Sequence, residues 1–202
     1  MTSAIAVQPE IISTKTPKRY TLEEYLVREA RSRHKHEFYN GEIKIMPGGT
    51  DKHSLIGMNT GYAIKTELKK KQNKFLVYNS EMGIYLPELD FVLYADVLAV
   101  YEKPEFWQGN RHLLLNPILI VEVASKSTRK FDRVEKFEAY QTIPSLKEYI
   151  LIEQNKPQVE SRLIHTETHY DVKIESDINK TIALRSLGVD ISLADIYENI
   201  EF

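Results

Sequence analysis

The sequence contains no cysteine, which excludes a disulfide framework and any metal site built on thiolates. That absence fits a reducing compartment, and a cytoplasmic protein is the expectation. Long hydrophobic runs are missing too. The most apolar stretches, FVLYADVLAVY and PILIVEVA, are each broken by an acid and are too short to span a bilayer, so no membrane partner is expected. The first seventeen residues hold Pro9 and Pro17 but no basic segment leading into an apolar core. They read as a loose N-terminal arm rather than a signal peptide. Charge of one sign is equally scarce. The 27 Lys and Arg against 29 Asp and Glu leave −2 at pH 7, so no overall positive field draws the chain to nucleic acid or anionic lipid. Two local cation clusters, Lys69, Lys70, Lys71 and Lys74, then Lys126, Arg129, Lys130 and Arg133, read first as solvated faces or helix ends.

What is present is ordinary for a soluble globular chain: 42% apolar and 28% charged residues over 202 positions, enough for one sizeable core. With no repeat and no linker, residues 18–202 are expected to form a single domain. Thr21 followed by Glu24 is a capping-box pattern that opens a short helix through Ala30. HEFYNGEIKIM places Asn40-Gly41 between alternating residues, which predicts a hairpin. A long helix is predicted from Asp51 to Lys71 on the spacing of Leu55, Ile56, Ala63, Ile64 and Leu68, weakened by Gly57 and Gly61. Strands follow at FLVYN, GIYL and FVLYADVLAV, then an excursion over 102–116, the strand ILIVEVA, and a helix around 133–142 stopped by Pro144. EYILIE, a late hairpin of VESRLIH and HYDVKI, the strand TIALRS and a turn or helix over 193–197 close the chain. This order predicts an α/β or α+β mixed sheet with helices against it and added hairpins at both ends.

Two acids break the pattern. In ILIVEVA, side chains alternate, so Glu122 shares the face of Ile118, Ile120 and Ala124. Asp96 repeats the oddity on the face of Val92, Tyr94, Leu98 and Val100. A buried carboxylate must meet a cation, a donor or a proton. Taken singly, each reads most simply as a salt-bridged acid; together on neighbouring strands they can share a divalent metal such as Mg²⁺ or Mn²⁺. On the following helix Asp132 and Glu135 fit a capping box. Lys136 and Tyr140 share a face, and Val134 and Phe137 are expected toward the core. Lys136 can supply a cation beside the acids, or simply pair with Asp132. Ser125, Ser127 and Thr128 read as loop residues rather than nucleophiles.

The string NPILIVEVASKSTRKFDRVEKFEAYQTIPSLKEYILIE resembles the signature of the Uma family of restriction-endonuclease-like proteins, a branch of the PD-(D/E)XK nuclease superfamily. YADVLAV resembles that family's Y-P-D-V segment, and EFYNGEIKIMPGGTDKHS its hairpin and the histidine opening the long helix. The likeness runs from about Tyr20 to Tyr197. It implies a core of helix, three strands, helix and strand, and a Mg²⁺- or Mn²⁺-dependent site that hydrolyses DNA. In that site Asp96 is the motif aspartate, Glu122 the motif glutamate, and both hold the metal. The superfamily lysine falls at Ala124, and Lys136 matches the helical lysine that stands in for it. Ala95 replaces the motif proline. Glu42 and His53 match family positions and are expected to support the site, Glu42 as a further acid and His53 toward a ligand or phosphate; each also reads simply, Glu42 as a polar residue on the hairpin's outer face and His53 as a satisfied histidine near a helix start. Two other readings stay open: a nuclease-fold module that binds DNA or a protein without turnover, and a structural homodimer whose acids are only salt-bridged.

Overall fold

The structure is a computed structural model and describes residues 18–71, 74–125, 132–166 and 168–202. The N-terminal arm, the cations Lys126, Arg129 and Lys130, and the loop residues Ser127 and Thr128 lie outside the described residues. Helix α1 (Leu22–Glu29) starts as the capping box requires: the Thr21 hydroxyl accepts from the Glu24 amide, and the Glu24 carboxylate accepts from the Thr21 amide. Strands β1 (His36–Tyr39) and β2 (Glu42–Ile45) form the predicted hairpin. Asn40 at φ 43° and Gly41 at φ 92° take the two left-handed positions that such a tight turn needs. Helix α2 (Asp51–Lys70) is capped by Thr50, whose hydroxyl accepts from the His53 amide. It buries Ile56, Ala63, Ile64 and Leu68, whereas Leu55, expected on that face, is exposed.

The remaining strands are β3 (Phe75–Asn79), β4 (Gly83–Leu86), β5 (Phe91–Tyr94), β6 (Val97–Tyr101), β7 (Leu113–Leu114), β8 (Leu119–Ala124), β9 (Glu148–Glu153), β10 (Val159–Thr166), β11 (His169–Glu175), β12 (Thr181–Leu184) and β13 (Val189–Ser192). Helices α3 (Phe137–Gln141) and α4 (Leu193–Ile196) complete the set. The central sheet runs β11-β10-β9-β8-β6-β3, a second sheet runs β2-β1-β5-β4-β7, and β12 pairs with β13. Within the central sheet β3, β6 and β8 are antiparallel and β8–β9 is parallel, with α3 in the crossover. The frame α2, β3, β6, β8, α3, β9 is the helix, three strands, helix and strand that the resemblance implies, with β4 and β5 looped out into the second sheet. The fold is α+β and restriction-endonuclease-like.

Alternation along β8 decides the layers. Leu119, Val121 and Val123 pack with α2, β12, β13 and α4; Ile120 and Ala124 pack with β4, β5 and α3. Glu122 falls on the second face, between Ile120 and Ala124. A third cluster, with Tyr25 and Phe38 stacked at 5.2 Å, fixes α1 to the second sheet. No helix among the described residues is long and apolar enough to cross a membrane.

Two local expectations are corrected. FVLYADVLAV is not one strand: β5 and β6 belong to different sheets, and Ala95-Asp96 is the break between them. Asp96 itself is the cause. Its amide donates to the Val121 carbonyl at 3.1 Å, and its side-chain Oδ2 accepts from the Val123 amide at 2.7 Å. The carboxylate thus takes the place of a strand carbonyl just beyond the end of the β6–β8 ladder, and the chain leaves the sheet there. The helix after β8 does not turn Val134 toward the core either. Asp132–Lys136 form a π-helical turn that runs into α3, leaving Val134 exposed while Phe137 is buried. The wider winding brings Asp132 and Lys136 both inside.

Candidate active site

Lys136 is the hub. Its ammonium lies 3.1 Å from Glu122 Oε1, 3.1 Å from the Tyr94 carbonyl and 3.1 Å from Glu37 Oε1. The contact with Glu37 is an ion pair outside good hydrogen-bond alignment, since that oxygen has no hydrogen-bond partner. Of its three N–H groups, two therefore donate, to Glu122 and to the Tyr94 carbonyl, and Glu37 adds a charge contact. At 7% exposure Lys136 has little room to grip a water as well. Its hydrogen bond to Glu122 makes it a cation beside that acid. Burial alone would favour a neutral amine, but Glu122, Glu37 and Asp132 outweigh it, and the lysine is held more firmly protonated than usual.

Glu122 is the buried member of the pair at 4% exposure. Burial raises its carboxyl well above the usual range, Lys136 pulls the other way, and Asp96 and Asp132 raise it further. The Tyr140 hydroxyl donates to the same Oε1 at 3.0 Å. Tyr140 lies one turn beyond Lys136 and is fully buried, which keeps its phenol protonated and so a donor. Lys136 and Tyr140 together fix the rotamer of Glu122 through one oxygen and leave Oε2 for a ligand.

Asp96 is anchored the same way. Both of its side-chain contacts, the Val123 amide and His53 Nε2 at 3.3 Å, fall on Oδ2 and leave Oδ1 for a ligand. The bond to the Val123 amide also ties Asp96 to the residue next to Glu122. Four carboxylates, Glu37, Asp96, Glu122 and Asp132, thus surround one ammonium and one imidazole. The donor set is hard oxygen with excess negative charge, the chemistry that Mg²⁺ or Mn²⁺ takes, although among the described residues no three of these acids and His53 bring donor atoms within 4.8 Å of one another.

His53 reaches Asp96 from the first turn of α2. The Asp96 hydrogen bond raises its pKa above 6.5 against the opposing effect of burial, helped by the charges of Asp96 and Asp132. A histidine raised by folding contributes stability that is complete below about 6.5 and lost as pH rises through its folded value. A proton-NMR titration in chelator is expected to put His53 above 6.5, and Asp96→Asn to lower it. A His53 that titrates at or below 6.5 in the wild type would contradict this contact.

Asp96 and His53 open onto a cleft of about 1010 Å³ between α2 and the segments leading into β1 and β4. Arg33, Lys35 and Lys65 line it, together with Met58 and Tyr62, which expose 70% and 72% of their surface. Glu122 and Lys136 are not among the residues that line it.

Of the residues singled out from the sequence, Asp96, Glu122, Lys136 and His53 come together and Glu42 does not. Glu42 is exposed on the edge strand β2 and pairs with Lys44 at 3.5 Å. Glu37, on the partner strand of that hairpin, is the acid that points inward. The sequence carried a signal for it, because Glu37 shares its face with Tyr39, whose hydroxyl donates to Glu37 Oε2 at 2.6 Å. Of the cation clusters, four described members have partners: Lys70 with Glu67, Lys74 with Glu102, Lys71 with the Gly188 carbonyl and Arg133 with Glu160.

Residues 22–193 match the family Uma2, described as "Putative restriction endonuclease". Uncharacterized protein sll1609 of Synechocystis sp. is 37% identical over 139 residues, 69% of this chain and 77% of that protein. Uncharacterized protein slr1290 of the same organism is 29% identical over 181 residues, covering 89% and 92% of the two chains. The crystal structure of "a putative nuclease belonging to DUF820" from Anabaena variabilis superimposes with a TM-score of 0.69 at 15% identity over 88% of this chain and 97% of that one. A family match across most of the length, on the same frame of helix, three strands, helix and strand, places this chain in the Uma2 family of restriction-endonuclease-like proteins.

Proposed function

We propose that this protein is a Mg²⁺- or Mn²⁺-dependent endonuclease that hydrolyses DNA phosphodiester bonds with an activated water. The observation that carries the reading is the shared design of the two acids. Asp96 and Glu122 each commit one oxygen to a fixed donor and keep the other open, on a floor with more carboxylates than cations. When bound, the metal polarises the phosphoryl oxygen and lowers the pKa of its water. The chain's own residues do the rest. Asp96 and Glu122 hold the metal, Lys136 and Tyr140 keep Glu122 oriented, and Glu37 balances Lys136. His53, whose pKa the Asp96 contact raises, offers its other ring edge to a phosphate entering the cleft. Arg33 and Lys65 supply a local positive lining on a chain of −2 net charge, with Lys35 beside them paired to Glu81, so affinity for DNA falls as salt rises.

The test is incubation of supercoiled plasmid and of single-stranded DNA with the protein in Mg²⁺, in Mn²⁺ and in chelator. Cleavage that requires the metal is expected. Salt-sensitive DNA binding with no cleavage in either metal would overturn the enzyme reading in favour of a binding module. Neither binding nor cleavage would leave the acids as a structural ion cluster.

A further inference from the structure

The β10–β11 hairpin carries a second group of metal-ligating side chains, far in sequence from the acids of the cleft. Its register runs Leu163 with Asp171 and Ile164 with Tyr170, then shifts so that Thr166 pairs with His169. The shift leaves His165 as the extra residue, and such an irregularity re-aims a side chain. His169 and Asp171, two apart on β11, share one face. The outcome is convergence: His165 Nε2 lies 3.0 Å from Asp171 Oδ2, and the rings of His165 and His169 stack with centroids 5.4 Å apart. One donor atom from each of the three lies within 4.8 Å of the others.

We propose that His165, His169 and Asp171 form a surface site for a single Zn²⁺ ion, with water in the fourth position. Two imidazoles and one carboxylate are a ligand set that zinc takes in three-ligand sites, whereas Mg²⁺ favours oxygen throughout. Bonds of about 2.0–2.1 Å to a tetrahedral ion put its donors roughly 3.3 Å apart. The three side chains, all exposed, must therefore close by up to about 1.5 Å, a movement within reach of side-chain rotation. Arg185 contacts only Oδ2, at 3.7 Å, so Oδ1 stays open to the ion.

The site has a structural reach. Tyr170, between two of the ligands, packs edge-on against Phe137 with centroids 4.9 Å apart, and Arg162 lies over the Phe137 ring at 4.3 Å. Phe137 follows Lys136 directly, so zinc would pin the edge strand that presses on α3.

The experiment is isothermal titration of tag-free, full-length protein with Zn²⁺ in the presence of excess Mg²⁺, with thermal melts alongside. The wild type is expected to bind one zinc more than the double variant His165→Ala, His169→Ala. His169→Ala alone should weaken that zinc at least about tenfold, or ~1.4 kcal/mol. Zinc should raise the wild-type melting temperature more than that of the double variant. His53→Ala should leave the hairpin zinc in place. Equal zinc stoichiometry and affinity in the wild type and the double variant would overturn the proposal, as would loss of this zinc in His53→Ala, which would assign it to the cleft.

Discussion

Lys136→Met is expected to destabilise the protein by about 3–5 kcal/mol, a large part of the roughly 5–15 kcal/mol that holds a domain folded. The size follows from burial. Lys136 is the cation for Glu122 and Glu37, both nearly sealed from water. Removing one partner of a buried pair leaves the other charge uncompensated, which costs far more than the pair itself contributes. Methionine keeps the stem's apolar packing, so the loss measures the charge and not a cavity. Urea denaturation of the wild type and the variant checks it. If the single variant is too unstable to purify, Lys136→Met combined with Glu122→Gln decides the matter. Removing both charges should cost clearly less than the sum of the singles, because the two groups interact directly. A single-variant loss below about 1 kcal/mol, or simple additivity, would show that the ammonium is not the hub described here. Activity follows the same logic, since a Glu122 without its lysine is free to take up a proton. Turnover should therefore fall with the carboxylate's orientation rather than with any direct contact of Lys136 to substrate.

How much of this was legible in the sequence depends on the range of the interactions involved. The Thr21–Glu24 capping box and the Asn40-Gly41 turn are local, set by residues three or fewer apart, and both elements form as read. Alternation along β8 correctly put Glu122 between Ile120 and Ala124. Periodicity failed where a side chain overrode it. Nothing in FVLYADVLAV says that Asp96 will capture the Val123 amide and end the strand, because that partner lies 27 residues away. The π-helical turn at Asp132–Lys136 was hidden for a similar reason. Its wider winding answers to tertiary contacts: Lys136 reaching Glu122 and the Tyr94 carbonyl, and the Asp132 carbonyl accepting from the Tyr149 hydroxyl at 2.8 Å. Between Glu37 and Glu42 the choice depended on which hairpin strand joins β5. The two acids share one face of the hairpin, and pairing of β1 with β5 sets Glu37 inside the sheet and leaves Glu42 on the edge.

Asp96→Asn is expected to lower metal-dependent cleavage at least about a thousandfold, a barrier change of ~4 kcal/mol, while the protein stays folded. Both halves come from the same carboxylate. Asparagine presents a carbonyl oxygen that can still accept from the Val123 amide, so the chain break between β5 and β6 keeps its anchor. What disappears is the negative charge and one of the two open oxygens offered to the metal. The amide that replaces an oxygen is a donor and repels a cation. His53 loses its charged partner at the same time, and its pKa falls. Stability should drop by only about 1–2 kcal/mol, the worth of exchanging hydrogen bonds to a charged acceptor for neutral ones. Glu122→Gln makes the useful comparison, because it removes the other open carboxylate and leaves His53 untouched. The two variants should lose cleavage alike but differ in the His53 titration, which moves only in Asp96→Asn. Plasmid-nicking rates, urea denaturation and the histidine NMR titration together read the three effects. Retained Mg²⁺-dependent cleavage in Asp96→Asn would remove this aspartate from the active site. An unfolded variant would instead show that the anchor to Val123 needs the full charge, and Glu122→Gln would then carry the test of metal binding.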